Sequence, residues 1–245
     1  MARRLTDHRV LSFDCYGTLI DWESGIWDAL QPLLMANACT ALGRARALSA
    51  FGCLETQQQT QTPGMPYPQL LATVHALLAA EHDLDSTPEI DAVFGASVPQ
   101  WPAFPDTADA LRELKTRFKL VILSNVNRDG FAASNRKLGV SFDAVYTAED
   151  IGSYKPAPRN FEYLLEHLHG DLGLGPQDVL HTAQSLHHDH VQARAFGLDN
   201  AWIDRQRLSV GGAWGATAPV AERPHTDFVF HTLGEMADAV RAEAV

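Results

Sequence analysis

The sequence predicts an α/β protein built on a doubly wound parallel sheet with a helical cap, and three observations carry that prediction. Short apolar runs of strand length, at Val10 to Phe13, Lys119 to Leu123 and Asp178 to His181, alternate with stretches of helical period. Between the first two of these runs lies a long stretch with helical period alone. Each run ends in polar residues, and open α/β sheets place their ligands outside the carboxyl ends of their strands.

The first strand, Val10 to Phe13, leads into Asp14-Cys15-Tyr16-Gly17-Thr18-Leu19-Ile20-Asp21. A carboxylate leaving a strand, followed by a glycine that lets the backbone turn tightly, reads as a nucleophile on a strand-end loop. The same pattern is also ordinary turn chemistry. From Trp22 the period becomes helical, with Trp22, Ile26, Ala29, Leu30, Leu33 and Leu34 approximating one face. Helical patterns continue around Ala41 to Gln59 and Leu70 to Glu81, broken at Pro63 to Pro68. Pro99 to Pro105 is a proline-rich return. Beyond it the pattern predicts helix Thr107 to Thr116, strand Lys119 to Leu123, helix Gly130 to Leu138, strand Ala144 to Tyr146 and helix Asn160 to His169. Strands Asp178 to His181 and Asn200 to Ile203 follow, separated by a helix from Asp189 to Phe196 that stops at Gly197. The domains expected are a core from residues 1–21 and 99–245 and a cap from residues 22–98. Gly211 to Gly215 reads as a flexible surface loop, since no strand directly precedes it to make a phosphate cradle.

Composition narrows the function. A net charge of −11 with no basic block argues against nucleic acid as a partner. No apolar run approaches the ~20 residues of a membrane span, and no signal-peptide core is evident, so a cytoplasmic protein without membrane contact is expected. Cys15, Cys39 and Cys53 are odd in number and lack a C-x-x-C pair, which fits reduced thiols. Cys15 reads as a small apolar residue beneath the loop rather than a catalytic thiol.

Four polar positions follow apolar segments in order: Asp14 with Thr18, then Ser124 with Asn125, then Lys155 before Pro156, then Asp189 after Val179 to Ser185. This order and spacing, over about residues 8 to 207, resembles the four-motif signature of the haloacid dehalogenase superfamily, which implies a Rossmann-like core with a cap. Phosphatases of that superfamily carry a second aspartate two residues after the nucleophile and a magnesium-binding aspartate in the fourth motif. Here those positions hold Tyr16 and Gln184. Phosphoryl transfer needs a cation to neutralise its oxygens and an acid for its leaving group, whereas displacing a halide from carbon needs neither. With Tyr16, the sequence resembles the L-2-haloacid dehalogenases, which act on short 2-halocarboxylates without metal or other cofactor.

That resemblance implies Asp14 as the nucleophile that forms an ester at C2, with Lys155 keeping it ionised. Thr18, Ser124 and Asn125, beside Tyr16, are expected to hold the substrate carboxylate or the halide. Asp189 orients Lys155 or the hydrolytic water. The family's cap arginine has no counterpart in register: Gly52 or Cys53 falls opposite it, with Arg44 and Arg46 nearby. The family's later tyrosine becomes Phe161 and its water-assisting asparagine becomes Leu186, marking a divergent subgroup. His187-His188-Asp189-His190 resembles a metal cluster in composition, but neighbours on a helix diverge by ~100° and do not converge on one ion. His187 or His188 is instead a candidate base for ester hydrolysis, set against a solvent-facing role at a helix start. The expectation is therefore a metal-independent hydrolase of a small halocarboxylate, with a homodimer compatible. A magnesium-dependent phosphatase and a catalytically weak binding protein are the alternatives.

Overall fold

The computed structural model describes residues 3–244. Its centre is a six-stranded, all-parallel sheet. The strands are β1 (Val10–Phe13), β2 (Lys119–Ser124), β3 (Ala144–Thr147), β4 (Val179–Ala183), β5 (Asp199–Ile203) and β6 (Phe228–Phe230), in spatial order β3-β2-β1-β4-β5-β6. From β1 the chain winds outward to β3, then returns to start the other half at β4. The switch point thus lies between β1 and β4, where doubly wound sheets form their ligand crevice.

Alternation sorts the strand side chains onto two faces. Leu11, Phe13, Leu120, Ile122 and Leu180 enter one apolar cluster. Val10, Val121, Leu123 and Val179 enter another with Phe161, Leu164 and Leu168. Helices α5 (Thr107–Lys115), α6 (Arg128–Leu138) and α10 (Leu233–Glu243) contribute to the first, and α8 (Arg159–Leu172) with α9 (Val191–Ala195) to the second. A single turn, α7 (Ala148–Ile151), follows β3, with Thr147 and Asp150 capping each other.

Between β1 and α5 stand four helices, α1 (Trp22–Ala36), α2 (Arg44–Gln61), α3 (Tyr67–Glu81) and α4 (Pro88–Gly95). Asp21 caps α1 by accepting from the Ser24 amide at 3.1 Å. The outgoing and returning connections run side by side: Asp21 N donates to Pro102 O at 2.8 Å and Phe104 N to Leu19 O at 3.1 Å. Gly25 is required here, because a Cβ at that position would sit 2.3 Å from the Trp101 indole. Trp101, fully buried, in turn lies edge-on to Tyr16 at 5.4 Å and to Tyr67 at 6.5 Å.

Five elements differ from the pattern reading. The α4 and α7 segments are short, and β6 is a three-residue edge strand, so each repeats too few times for its period to stand out. The α10 helix does show one, with Leu233, Met236, Ala237 and Val240 buried at helical spacing. The helix expected from Asp189 to Phe196 begins instead as a wide π turn over Leu186–His190 and turns α-helical at Val191. Among the described residues, no helix is long and apolar enough to cross a membrane.

Candidate active site

The carboxyl ends of β1, β2 and β4 converge on one buried polar cluster. Asp14 leaves β1, and its backbone amide donates to Thr182 O at 3.1 Å, which carries the β1–β4 pairing one residue past the strand. Lys155 donates from Nζ to Asp14 Oδ1 at 2.9 Å, to Asp189 Oδ1 at 2.7 Å and to Leu123 O at 3.0 Å. Three donors meet three acceptors, so the ammonium is saturated. Thr18 donates to Asp14 Oδ2 at 2.7 Å while accepting from the Gln184 amide at 2.9 Å. Both carboxylate oxygens of Asp14 are therefore held.

The loops that deliver these groups are themselves tied down. Gly17 adopts φ +94°, and its backbone closes a turn onto Ile20 O. Arg205 donates to Thr18 O at 2.9 Å from the far side. Asn125 clamps the lysine loop in both directions, accepting from the Lys155 amide at 2.7 Å and donating to Lys155 O at 3.0 Å. The Lys155–Pro156 bond is cis. His181, on β4, donates from Nε2 to Asp189 Oδ1 at 2.9 Å, and its Nδ1 meets Ser12 Oγ at 2.8 Å.

Burial pushes the Asp14 carboxyl up from its ordinary value, while the Lys155 ammonium and then the Thr18 hydroxyl pull it back. Asp189 is buried too, yet Lys155 and His181 hold it well below the usual carboxylate range. The Lys155 pKa is raised: burial opposes the charge, but two adjacent carboxylates outweigh burial. Cys15 is fully buried with its thiol pushed well up, which fits a packing residue rather than a nucleophile.

Above this cluster is a cavity of about 50 Å³, room for only a few heavy atoms. Asp14, Tyr16, Asn125, Lys155, Gln184, His188 and Asp189 line it from the sheet side, and Trp22, Glu55, Thr56, Gln59 and Tyr67 from the helical insertion. Tyr16 presents its ring, because its hydroxyl is taken by Ser134 Oγ at 3.0 Å. Ser124 departs from expectation: its Oγ is buried without a partner, and it is not among the cavity-lining residues. Asn125 lines the cavity, but its amide group is spent on the Lys155 backbone.

The two candidate histidines separate. His187 faces two outer grooves of about 500 and 710 Å³. His188 reaches the inner cavity, with Nδ1 at 3.1 Å from Ser185 Oγ and a shielded Nε2 without a partner. The π turn explains this, since its extra residue per turn rotates successive side chains away from α-helical spacing. Burial, with His187 beside it, pushes the His188 imidazole well below its ordinary value, so it stays neutral. Asp189 Oδ2 is likewise buried without a partner.

A magnesium ion fits this cluster poorly. The cation already present, Lys155 Nζ, occupies the space between Asp14 Oδ1 and Asp189 Oδ1. Gln184 turns its side chain to Gln206 and Thr217 rather than to Asp14. Among the described residues, no group of three or more His, Cys, Asp or Glu is gathered as a metal site.

Two contributors escaped the sequence reading. Glu55 and Gln59 lie on the buried face of α2 with Leu48, Phe51 and Gly52, so the signal was a polar pair at i, i+4 within an apolar stripe. Arg44, by contrast, donates to Ser24 Oγ and lines a different groove, and Arg46 is exposed. The second is the segment after Gly215: Ala216 and Thr217 are buried and close the cavity wall, whereas Gly211 to Ala213 are exposed.

Comparison with known proteins gives this geometry a context. A family model described as haloacid dehalogenase-like hydrolase matches residues 8–182. The chain is 27% identical over 206 residues, 81% of its length and 84% of the relative's, to (S)-2-haloacid dehalogenase 4A of Burkholderia cepacia. It superposes on the L-2-haloacid dehalogenase of Xanthobacter autotrophicus with chloropropionic acid covalently bound, at TM-score 0.76 and 21% identity, covering 96% of this chain and 98% of that one. The HAD hydrolase YfnB of Bacillus subtilis, bound to magnesium, superposes at TM-score 0.75 and 17% identity, over 98% of this chain and 100% of that one. At these identities the two structures speak for the fold.

Proposed function

The chain belongs to the haloacid dehalogenase-like hydrolases, and from that premise we propose that it is a metal-independent dehalogenase of a short 2-haloacid, working through an ester on Asp14. One observation carries the reading: the nucleophile faces a cavity of about 50 Å³ and its partner cation is a saturated lysine ammonium, shared with Asp189. The (S)-2-haloacid dehalogenase relative supports the substrate class.

In the first step an Asp14 carboxylate oxygen attacks C2 of the acid. The new C–O bond forms as the C–halogen bond breaks, and halide leaves with the bonding pair. Lys155 keeps Asp14 ionised at the outset. In the second step water attacks the Asp14 carbonyl carbon, so the water oxygen stays on Asp14 and the original carboxylate oxygen leaves as the product hydroxyl. One water proton ends on that hydroxyl and the other passes to solvent. His188 Nε2 and Asp189 Oδ2, both buried without a protein partner, position this water. The helical insertion over residues 22–98 acts as the cap that excludes bulk water.

The test is halide release against a panel of 2-chloro- and 2-bromoacids, with and without millimolar EDTA. Release that survives EDTA is expected. Loss of activity to EDTA, or phosphate-ester hydrolysis in place of halide release, would overturn the reading; no turnover of any acid would leave a binding protein.

A further inference from the structure

The cavity has an anionic substrate to hold and no spare cation to hold it with. Lys155 is its one lining residue with a fixed positive charge, and its three donors are committed to Asp14, Asp189 and Leu123. From the helical insertion comes a carboxyl group instead. Glu55 is 6% exposed, accepts at Oε1 from the Tyr67 hydroxyl at 2.8 Å, and among the described residues has no protein donor at Oε2. An ionised Glu55 and a bound anion in about 50 Å³ repel strongly, since the low-dielectric wall screens little.

We propose that Glu55 in its protonated form is the anion-receiving group of this site, donating Oε2–H to the substrate carboxylate or to the departing halide. This rests on the dehalogenase reading for the identity of the anion. Anion binding and loss of the Glu55 proton then exclude each other. Burial supports the assignment, lifting the Glu55 carboxyl to about 7 against the Tyr67 hydrogen bond that lowers it. The other titratable groups around it do not produce the same signal. Tyr67 on α3, Tyr16 after β1 and Tyr154 before Lys155 are all pushed above the ordinary phenol value. His188 is pushed far down and Asp189 held low, while Lys155 stays charged. Asp14 is the one neighbour whose ionisation would also repel an anion, and replacing Glu55 separates the two.

The experiment measures binding of sodium propionate and, separately, sodium bromide to the intact protein at about pH 6 and about pH 8.5, by calorimetry. For at least one of the two ligands, affinity of the native protein should fall about 30-fold between these values, as expected for one proton lost near pH 7. The ligand that shows the fall identifies which anion meets Glu55. E55Q keeps an N–H donor but cannot ionise, so its affinity should be the same at both pH values. E55A should bind weakly at both. A native affinity independent of pH, a fall that persists in E55Q and so belongs to Asp14, or no binding of either anion at pH 6 would each overturn the proposal. Binding needs no turnover, so the two readings fail separately. A protein that hydrolyses no haloacid yet shows the Glu55-linked fall loses the dehalogenase reading alone; one that releases halide with pH-independent binding loses this one alone.

Discussion

Removing the charge of Lys155 is the sharpest perturbation of the site, and Lys155→Met removes it at nearly constant volume. The ammonium lies 2.9 Å from Asp14 Oδ1 and 2.7 Å from Asp189 Oδ1, with 1% of its side chain exposed. At an effective dielectric of about 20, a pair at that separation attracts by roughly 6 kcal/mol, an upper bound once water and neighbouring protons relax. Breaking buried pairs costs about 3–5 kcal/mol, which corresponds to raising the Asp14 pKa by roughly 2 to 4. The sign follows: burial already raises Asp14 and Lys155 opposes it, so without Lys155 the carboxyl keeps its proton to higher pH and is a nucleophile over a narrower range. We expect the acid limb of kcat/KM for halide release to move up by roughly 2 to 4 pH units, with activity below the new limb falling roughly tenfold per unit. The assay is the pH profile of halide release from about pH 5 to 9.5, with near-ultraviolet circular dichroism to check folding. A folded variant with an unshifted acid limb would refute the argument.

Further outcomes follow from the same geometry. Asp14→Asn should leave less than about 1% of turnover while the protein stays folded, and single turnover of native protein in oxygen-18 water should label Asp14 before it labels product. Label in the first-turnover product would exclude the ester. His188→Ala should slow ester breakdown more than its formation, so that the esterified chain accumulates on mass spectrometry, whereas His187→Ala, out in the grooves, should not. If neither variant accumulates ester, Asp189 is the remaining water-positioning group. Finally, the Glu55 carboxyl rises from 4.5 unfolded to about 7 folded, so the folded state binds its proton more tightly and stability is lost as pH climbs through that window. Glu55→Gln should therefore be more stable than native protein by up to roughly 3 kcal/mol in urea melts at about pH 8 and nearly equal to it at about pH 4.5. An equal difference at both pH values would show that Glu55 does not change its proton affinity on folding.

Much of this protein is written in local pattern. Apolar runs at Val10 to Phe13 and Leu120 to Leu123 can only be buried on both faces, which demands helices on each side and a parallel sheet. Polar residues directly after such runs, Asp14 among them, are thereby placed on one edge, and it was the motif resemblance that implied Lys155 and Asp189 as its neighbours. Tyr16 and Gln184 were legible as departures from the phosphatase pattern because each occupies a motif position.

The tertiary structure decided what depends on distant chain segments meeting. Whether His187 or His188 faces the cavity turns on a π turn, and no pattern of period 3.6 encodes one residue of extra rotation. His181 joins Asp189 only because β4 and the turn after it fold back on one another. Ser124 and Asn125 are adjacent in sequence, yet the first is buried off the cavity while the second spends its amide on the lysine loop. Glu55 carries no motif at all. Burial is what raises its carboxyl, and burial is set by packing, with no counterpart in the order of the residues.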